Sequence, residues 1–353
     1  MDSDGVIVDE ERAPKDVKDE EAVKLYKDML LSEFGESRVA AGEEGTIIGS
    51  ASALTPDDVI FAQYREAGVL RQRGFGLDEF MANFFSNGKD LSKGRNMPNH
   101  FASRRLNVLP HAAGAAYALK MRRLADPNQP PAVAVCYFGE GAASEGDFHA
   151  ALNIAATRSC PVVYICRNNG YAISTPTLEQ YRGDGIASRG VGYGIETIRV
   201  DGNDIWAVRE ATREARRLAL SGGGKPVLIE AMSYRVSHHS TSDDSFAYRA
   251  RVEVEDWKRR DNPITRMRKY LERKGIWDDA REQESREGIK KEVMKAFMEG
   301  EREKKHPIGE LFTDIYETET EEARGQREEL GRILREYEGE YDVEEFERGR
   351  EGV

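Results

Sequence analysis

The stretch AVAVCYFGEGAASEGDFHAALNIAATRSCPVVYICRNNGY, Ala132–Tyr171, holds two short apolar runs, each ending in oxygen-bearing residues. Ala132–Phe138 and Val162–Cys166 are rich in Val, Ile, Tyr and Cys, are bounded by Pro or Gly, and are too short for helices, so both read as buried strands. Between them Phe148, Ala151, Leu152 and Ala155 recur at the spacing of one helical face. Strand, helix, strand is a βαβ unit with parallel strands and a right-handed crossover. Gly139-Glu140-Gly141 and Asn168-Asn169-Gly170-Tyr171 should then emerge on one sheet edge, where open α/β sheets bind ligands. Glycines beside Glu140 allow a sharp turn and close backbone approach. Its carboxylate and the Asn169 amide are the hard oxygens that suit Mg²⁺, and Arg167 offers a guanidinium to a phosphate. A Mg²⁺-diphosphate is the ligand this set suggests, while Gly-Glu-Gly by itself more often describes an ordinary turn.

Working outward, Glu20–Leu31 reads as a helix with Val23, Tyr26, Leu30 and Leu31 on its apolar face. Gln63-Tyr64-Arg65 places an amide, a hydroxyl and a bidentate fork side by side, a set able to clamp a diphosphate, although a lone Arg is more often exposed. The loop DLSKGRNMPNH ends on His100, a candidate ligand or acid-base group that also fits a solvated loop. Gly183–Gly194 is glycine-rich and is expected to be a flexible surface loop. Glu196–Val200 and Val227–Met232 read as further strands, separated by a helix capped by Asp204 with Ile205, Val208, Ala211, Ala215 and Leu218 on one face. The last strand leads to SYRVSHHSTSDD, Ser233–Asp244, which topology sends to the same edge as Glu140 and Asn169. From Pro263 the chain is charged and helical, with apolar stripes at Ile264, Met267, Leu271 and at Ile289, Val293, Ala296, Phe297, and a cluster at Phe312, Ile315, Tyr316. Glu321–Val353 is mostly charged and is expected to be loosely held.

The 353 residues carry 52 Lys and Arg against 64 Asp and Glu, a net charge of −12, which disfavours nucleic acid and anionic lipid as partners. No apolar run is long enough to cross a bilayer. Cys136, Cys160 and Cys166 fall in or beside the buried strands, so a disulfide framework is not expected and a reducing compartment fits. The start, MDSDGVIVDEERAPKDVKDEE, is acidic and unlike a signal or transit peptide.

GEGAASEGD, CRNNGYAISTPT, EQYRGDGIASRG, GYGIETIRVDGND, LIEAMSYR and HHSTSDDS together closely resemble the E1 α subunit of the branched-chain 2-oxo acid dehydrogenase complex, a thiamin-diphosphate-dependent family. The likeness runs from about Gly42 to the C-terminus. It implies an α/β thiamin-diphosphate-binding fold, a parallel sheet flanked by helices, with a helical C-terminal extension. The corresponding intervals are an N-terminal arm and shortened helix at 1–41, the cofactor-binding domain at 42–260 and a helical region at 261–353. It implies thiamin diphosphate and Mg²⁺ as cofactors. Glu140, Asn169 and the Tyr171 carbonyl would be the metal ligands, and Gln63, Tyr64, Arg65, Glu140, Gly141, Ala142, Arg167, Asn169, Tyr171 and His239 the cofactor-binding set. His239 is the residue implied to assist reductive acylation of lipoyl, and Ser240 the one implied to be phosphorylated; the family's second phosphorylated serine falls at Ala250. Implied partners are an E1 β subunit in an α₂β₂ heterotetramer, which supplies the glutamate that activates the cofactor, a lipoyl-bearing E2 core, and a regulatory kinase and phosphatase. The implied location is the mitochondrial matrix.

Two departures from the family pattern stand out. A segment is missing between Leu30 and Gly42, and Leu106–Pro110 runs directly into His111–Tyr117 where the family carries cofactor-lining and monovalent-cation residues, leaving potassium without a matching site. A pyruvate dehydrogenase α subunit is the nearest enzymatic alternative, but it usually has Asp where Glu140 stands. A shortened variant that assembles without turning over is the non-enzymatic one.

Overall fold

The computed structural model describes residues 1–32, 41–98, 100–101 and 111–353. Both departures just named lie largely outside the described residues. In chain order the elements are α1 (Asp19–Leu31), α2 (Glu44–Ala51), β1 (Val59–Phe61), α3 (Ala67–Gln72), α4 (Leu77–Phe85), α5 (Ala112–Ala125), β2 (Ala134–Gly139), α6 (Gly146–Arg158) and β3 (Val162–Asn168). There follow β4 (Tyr171–Ala172), β5 (Thr175–Pro176), α7 (Thr177–Gln180), α8 (Ala187–Gly192), β6 (Glu196–Asp201), α9 (Ile205–Ala219), β7 (Val227–Met232), α10 (Arg251–Asp261), α11 (Pro263–Arg273), α12 (Asp279–Arg302) and α13 (Glu321–Glu336). Contacts divide the chain into two compact units, residues 1–74 with 103–290, and residues 75–102 with 291–353. These bounds differ from the sequence intervals, because α11 packs on α1 within the first unit.

The first unit is built on a five-stranded parallel sheet in the order β1-β2-β3-β7-β6. Side-chain alternation sorts the strands' residues onto two faces. Ala134, Phe138, Val162, Tyr164, Cys166 and Leu228 join Ala116 of α5 and Phe148, Leu152 and Ala155 of α6 in one buried cluster, so the helical spacing read in the sequence is the packed face. On the opposite face Tyr137 reaches α2, its hydroxyl 2.9 Å from Ser50 Oγ, and α2 packs on α9. That approach is close: a Cβ added at Gly49 would meet the Ile205 carbonyl oxygen at 2.7 Å. Asp204 caps α9 as expected, accepting from Trp206 and Ala207 N–H groups.

Five expectations change. The buried face of α1 is Ala22, Leu25, Tyr26, Met29 and Leu30, with Val23 and Leu31 only half-buried, because α11 and α2 lie against a face rotated from the one the apolar residues suggested. In α9 Ile205, Val208 and Ala215 are buried as expected and Thr212 and Ala219 join them, whereas Ala211 and Leu218 are half-buried. Gly183–Gly194 is not a free loop: Ile186 and Ala187 are buried, and α8 packs on β6 and β7. Glu321–Val353 is folded, since Leu334 and Val343 form a small core with Ile308 in the second unit, and Phe346 and Val353 pack against it. In that unit Phe75, Phe80 and Phe101 pack ring against ring, while Ile315 and Tyr316 are exposed and form no cluster with Phe312. Cys136, Cys160 and Cys166 are free thiols. Among the described residues no helix is long and apolar enough to cross a membrane.

Candidate active site

The pairing registers Gly139 with Arg167 and Asn168 with Met232, so β2, β3 and β7 end at one level. At that edge β1 delivers Gln63–Glu66, β2 delivers Glu140, β3 delivers Arg167 and Asn169, and β7 delivers the segment that reaches His239. Glu140 is about 1% exposed and Asn169 about 4%. The Asn169 N–H lies 3.4 Å from Glu140 Oε2, and Asn169 Oδ1 accepts from the Tyr171 N–H at 3.2 Å. Burial, and then the neighbouring Glu43, hold the Glu140 carboxyl above its ordinary pKa. Its Oε1 is buried and accepts no hydrogen bond. Neither flanking glycine has a positive φ. Gly141 is required for space instead, since a Cβ there would lie 2.6 Å from the Ala172 Cβ. Ala142 follows and opens a single 3₁₀ turn.

Alternation on β3 sends Arg167 to the α2 face, away from the side of Cys166 and Asn168. There its Nη1 donates to Glu43 Oε1 at 3.0 Å, its Nε lies 2.6 Å from Glu66 Oε1, and its Nη2 donates to Gln63 Oε1 at 3.2 Å. Burial alone would lower the Arg167 pKa, but Glu66 and Glu43 together outweigh it and raise it. Its positive charge is thus already matched by two fully buried carboxylates. Sequence reasoning gave neither Glu43 nor Glu66 a role. The available signal was acidic pairing around short apolar segments, Glu43-Glu44 before the TIIG of α2 and Glu66 after Arg65.

His239 stands at the other side of the edge, with Arg65 Nη2 at 3.0 Å from its Nδ1 and 2.8 Å from its carbonyl oxygen. Arg235 Nη1 approaches the same Nδ1 at 3.5 Å. Guanidinium groups only donate, so Nδ1 is the acceptor and the imidazole carries its proton on Nε2. That Nε2 lies 3.4 Å from the Tyr64 hydroxyl. Burial first, then Arg65 and Arg235, push the His239 pKa down to about 4, so the ring is neutral near pH 7. Arg65 is about 5% exposed, lies 5.1 Å from the Tyr64 ring centroid, and has a buried Nη1 without a partner. Arg235 was also missed by sequence reasoning; it is buried and donates to the Ile173 carbonyl and the Tyr248 hydroxyl, each at 2.8 Å.

The segment after His239 is tied back on itself. Arg249 donates to the carbonyls of Arg235, Val236 and Ser237, and the Tyr248 hydroxyl donates to Asp243 at 2.8 Å. Asp243 in turn accepts the His239 N–H at 2.7 Å. Ser240 sits half-buried on this segment, its hydroxyl 3.4 Å from that of Ser242. His100 belongs to the second unit and is exposed.

Residues 26–309 match the model of the dehydrogenase E1 component. The chain belongs to the dehydrogenase E1 family. That family depends on thiamin diphosphate. The chain is 48% identical to the mitochondrial 2-oxoisovalerate dehydrogenase subunit α of Macaca fascicularis, over 99% of this chain and 82% of that protein. It is 47% identical to the Caenorhabditis elegans protein of the same name, over 96% and 82%, and 45% identical to that of Dictyostelium discoideum, over 98% and 82%. The alignment with the Macaca protein spans 372 positions, more than the 353 residues present here, so that relative carries residues for which this E1 chain has no counterpart.

The exposed edge of this E1 chain fits a cation carried by an anionic ligand. Among the described residues, the buried polar atoms there without a hydrogen-bond partner include Glu140 Oε1, Glu43 Oε2 and Arg65 Nη1. The two carboxylate oxygens are acceptors, as a cation or its water would require, and the Arg65 nitrogen is a donor, as a phosphate would require. Among the described residues no group of three or more His, Cys, Asp or Glu side chains could hold a metal by itself. A mixed set of one carboxylate, one amide and one carbonyl is instead what Mg²⁺ accepts when substrate oxygens and water complete its shell.

Proposed function

We propose that this chain is the α subunit of a branched-chain 2-oxo acid dehydrogenase E1, acting in oxidative decarboxylation and acyl transfer to lipoyl on an E2 core. The observation that carries the reading is the convergence, at one strand edge, of Glu140 with its unpartnered Oε1, Asn169 and the Arg65–His239 pair, in a chain about half identical to proteins named 2-oxoisovalerate dehydrogenase subunit α. Glu140, Asn169 Oδ1 and the Tyr171 carbonyl are assigned to Mg²⁺. Gln63, Tyr64, Arg65, Gly141, Ala142 and Arg167 are assigned to the diphosphate end of the cofactor, and His239 to its reacting end. Thiamin diphosphate supplies the carbanion-stabilising chemistry that lets a 2-oxo acid lose carbon dioxide. The protein's own contribution is positional. Arg65 and Arg235 fix the His239 tautomer so that Nε2–H is a donor at neutral pH, and Arg167, balanced by Glu43 and Glu66, holds Gln63.

A β subunit completes the enzyme and supplies the activating glutamate. Ser240 is proposed as the target of a regulatory kinase and phosphatase: a dianionic group there would meet Asp243 and Asp244, displacing the contacts that hold His239. The relatives are labelled mitochondrial, which supports the matrix as the location. The test is decarboxylation of 2-oxoisovalerate by this chain co-purified with its β partner, thiamin diphosphate and Mg²⁺, against Glu140→Ala. Turnover that disappears in the variant is the expected result. A stable assembly without turnover would favour the second reading, a non-catalytic shortened variant, for which the unmatched positions of the relatives speak.

A further inference from the structure

We infer that Glu43 is a positioning residue of the metal site, an outer partner that dictates which way the Asn169 amide faces; this rests on the assignment of Asn169 and Glu140 to Mg²⁺. Glu43 precedes the first turn of α2 and is fully buried. Its Oε1 accepts two hydrogen bonds, from Arg167 Nη1 at 3.0 Å and from Asn169 Nδ2 at 3.1 Å. A carboxylate facing a guanidinium only accepts, so it selects the NH₂ end of the Asn169 amide. The carbonyl end is thereby turned toward the Tyr171 N–H, on the side of the remaining proposed ligand. Without Glu43 the amide could rotate by half a turn and offer a donor where a cation needs an oxygen. The second observation is Glu43 Oε2, a buried acceptor with no partner, which leaves an anionic oxygen for a cation-bound water. Outer-shell partners of this kind usually set metal affinity by about 10- to 100-fold.

Because a single oxygen of Glu43 accepts both bonds, an amide oxygen can replace it. Glu43→Gln keeps both contacts, whereas Glu43→Leu removes them. In the assembly with the β subunit, thiamin-diphosphate binding followed by tryptophan fluorescence gives the half-saturating Mg²⁺ concentration without reference to turnover. Glu43→Leu should raise it about tenfold or more, and Glu43→Gln by less, since it keeps the contacts made by Oε1 and loses only the acceptor at Oε2. Asn169→Asp sets two carboxylates against each other and should abolish tight Mg²⁺ dependence. Adding Glu43→Leu to it removes the opposing carboxylate, restores the native charge count and leaves at position 169 a carboxylate that presents an oxygen whichever way it faces, so most of the affinity should return. That rescue keeps the inference testable even where Glu43→Leu alone does not fold. Unchanged Mg²⁺ dependence in a folded Glu43→Leu, or failure of the rescue, overturns the role of Glu43. A Glu140→Ala variant with unaltered Mg²⁺ dependence would instead overturn the site assignment itself.

Discussion

Glu140, just past the end of β2, and Glu230, within β7, are two buried glutamates with opposite surroundings. Glu230, in β7, accepts from the Asn168 side chain and the Ile186 N–H at 2.8 Å, and from the Ala187 N–H and Arg199 Nε at 2.9 Å. Burial would raise its pKa, but these four donors outweigh burial and the carboxyl stays below its ordinary value. Glu140, almost equally buried, has a long hydrogen bond from the Asn169 N–H, further approaches from its own backbone and the Gln180 side chain, an oxygen without a hydrogen-bond partner and a raised pKa. A carboxylate fully supplied with donors holds the fold together. One left short of them is kept for something the chain alone does not contain.

Substitution separates the two roles. Glu140→Ala in the assembled enzyme should lower decarboxylation by about a hundredfold or more, the upper end of what even an outer-shell metal partner contributes. Its thermal midpoint should stay level or rise, since an under-solvated carboxylate has been removed. Glu230→Ala should do the reverse, losing about 3–5 kcal/mol in chemical denaturation because Arg199 and three other donors lose their acceptor. Equal destabilisation by both would break the comparison. The Gly141→Ala change tests the backbone beside Glu140: its new Cβ meets Ala172, so about 1–3 kcal/mol of stability should go, and Ala172→Gly in the same chain should return most of it.

The smallest effect concerns pH. The unfolded chain protonates His239 near pH 6.5, whereas the folded chain does not until about 4. Its contribution to stability is therefore fully present above pH 6.5 and is lost as pH falls toward 4. The difference in thermal midpoint between the native chain and His239→Gln should shrink across that window. Arg235→Gln should raise the His239 pKa, read by NMR of the labelled imidazole, while leaving it below 6.5 because burial is the largest cause of its depression.

What could be read in advance follows from locality. The βαβ unit, the capping Asp204 and the side of the sheet to which Glu140 and Asn169 emerge depend on residue periodicity and on the hand of a crossover, both properties of short stretches. β1 is three residues long, Val59–Phe61, too brief for a periodic signal, yet it pairs along β2 and brings Gln63, Tyr64 and Arg65 to the edge. The face of α1 was misread because apolar residues surround the helix and only the position of α11 and α2 selects among them.

The sequence by itself determined the fold class, the strand-end residues and the family motifs, because hydrogen-bonding patterns and hydrophobic spacing are set within a few neighbouring residues. Tertiary structure alone decided that Arg167 is matched by Glu43 and Glu66, that Arg65 and Arg235 both face His239, and that Glu230 is satisfied while Glu140 is not. Arg167 and Glu43 stand 124 residues apart, and Arg65 and His239 174. Their meeting depends on the order β1-β2-β3-β7-β6 and on which sheet face each side chain takes, and a charge buried by that arrangement must find its partner wherever in the chain it lies.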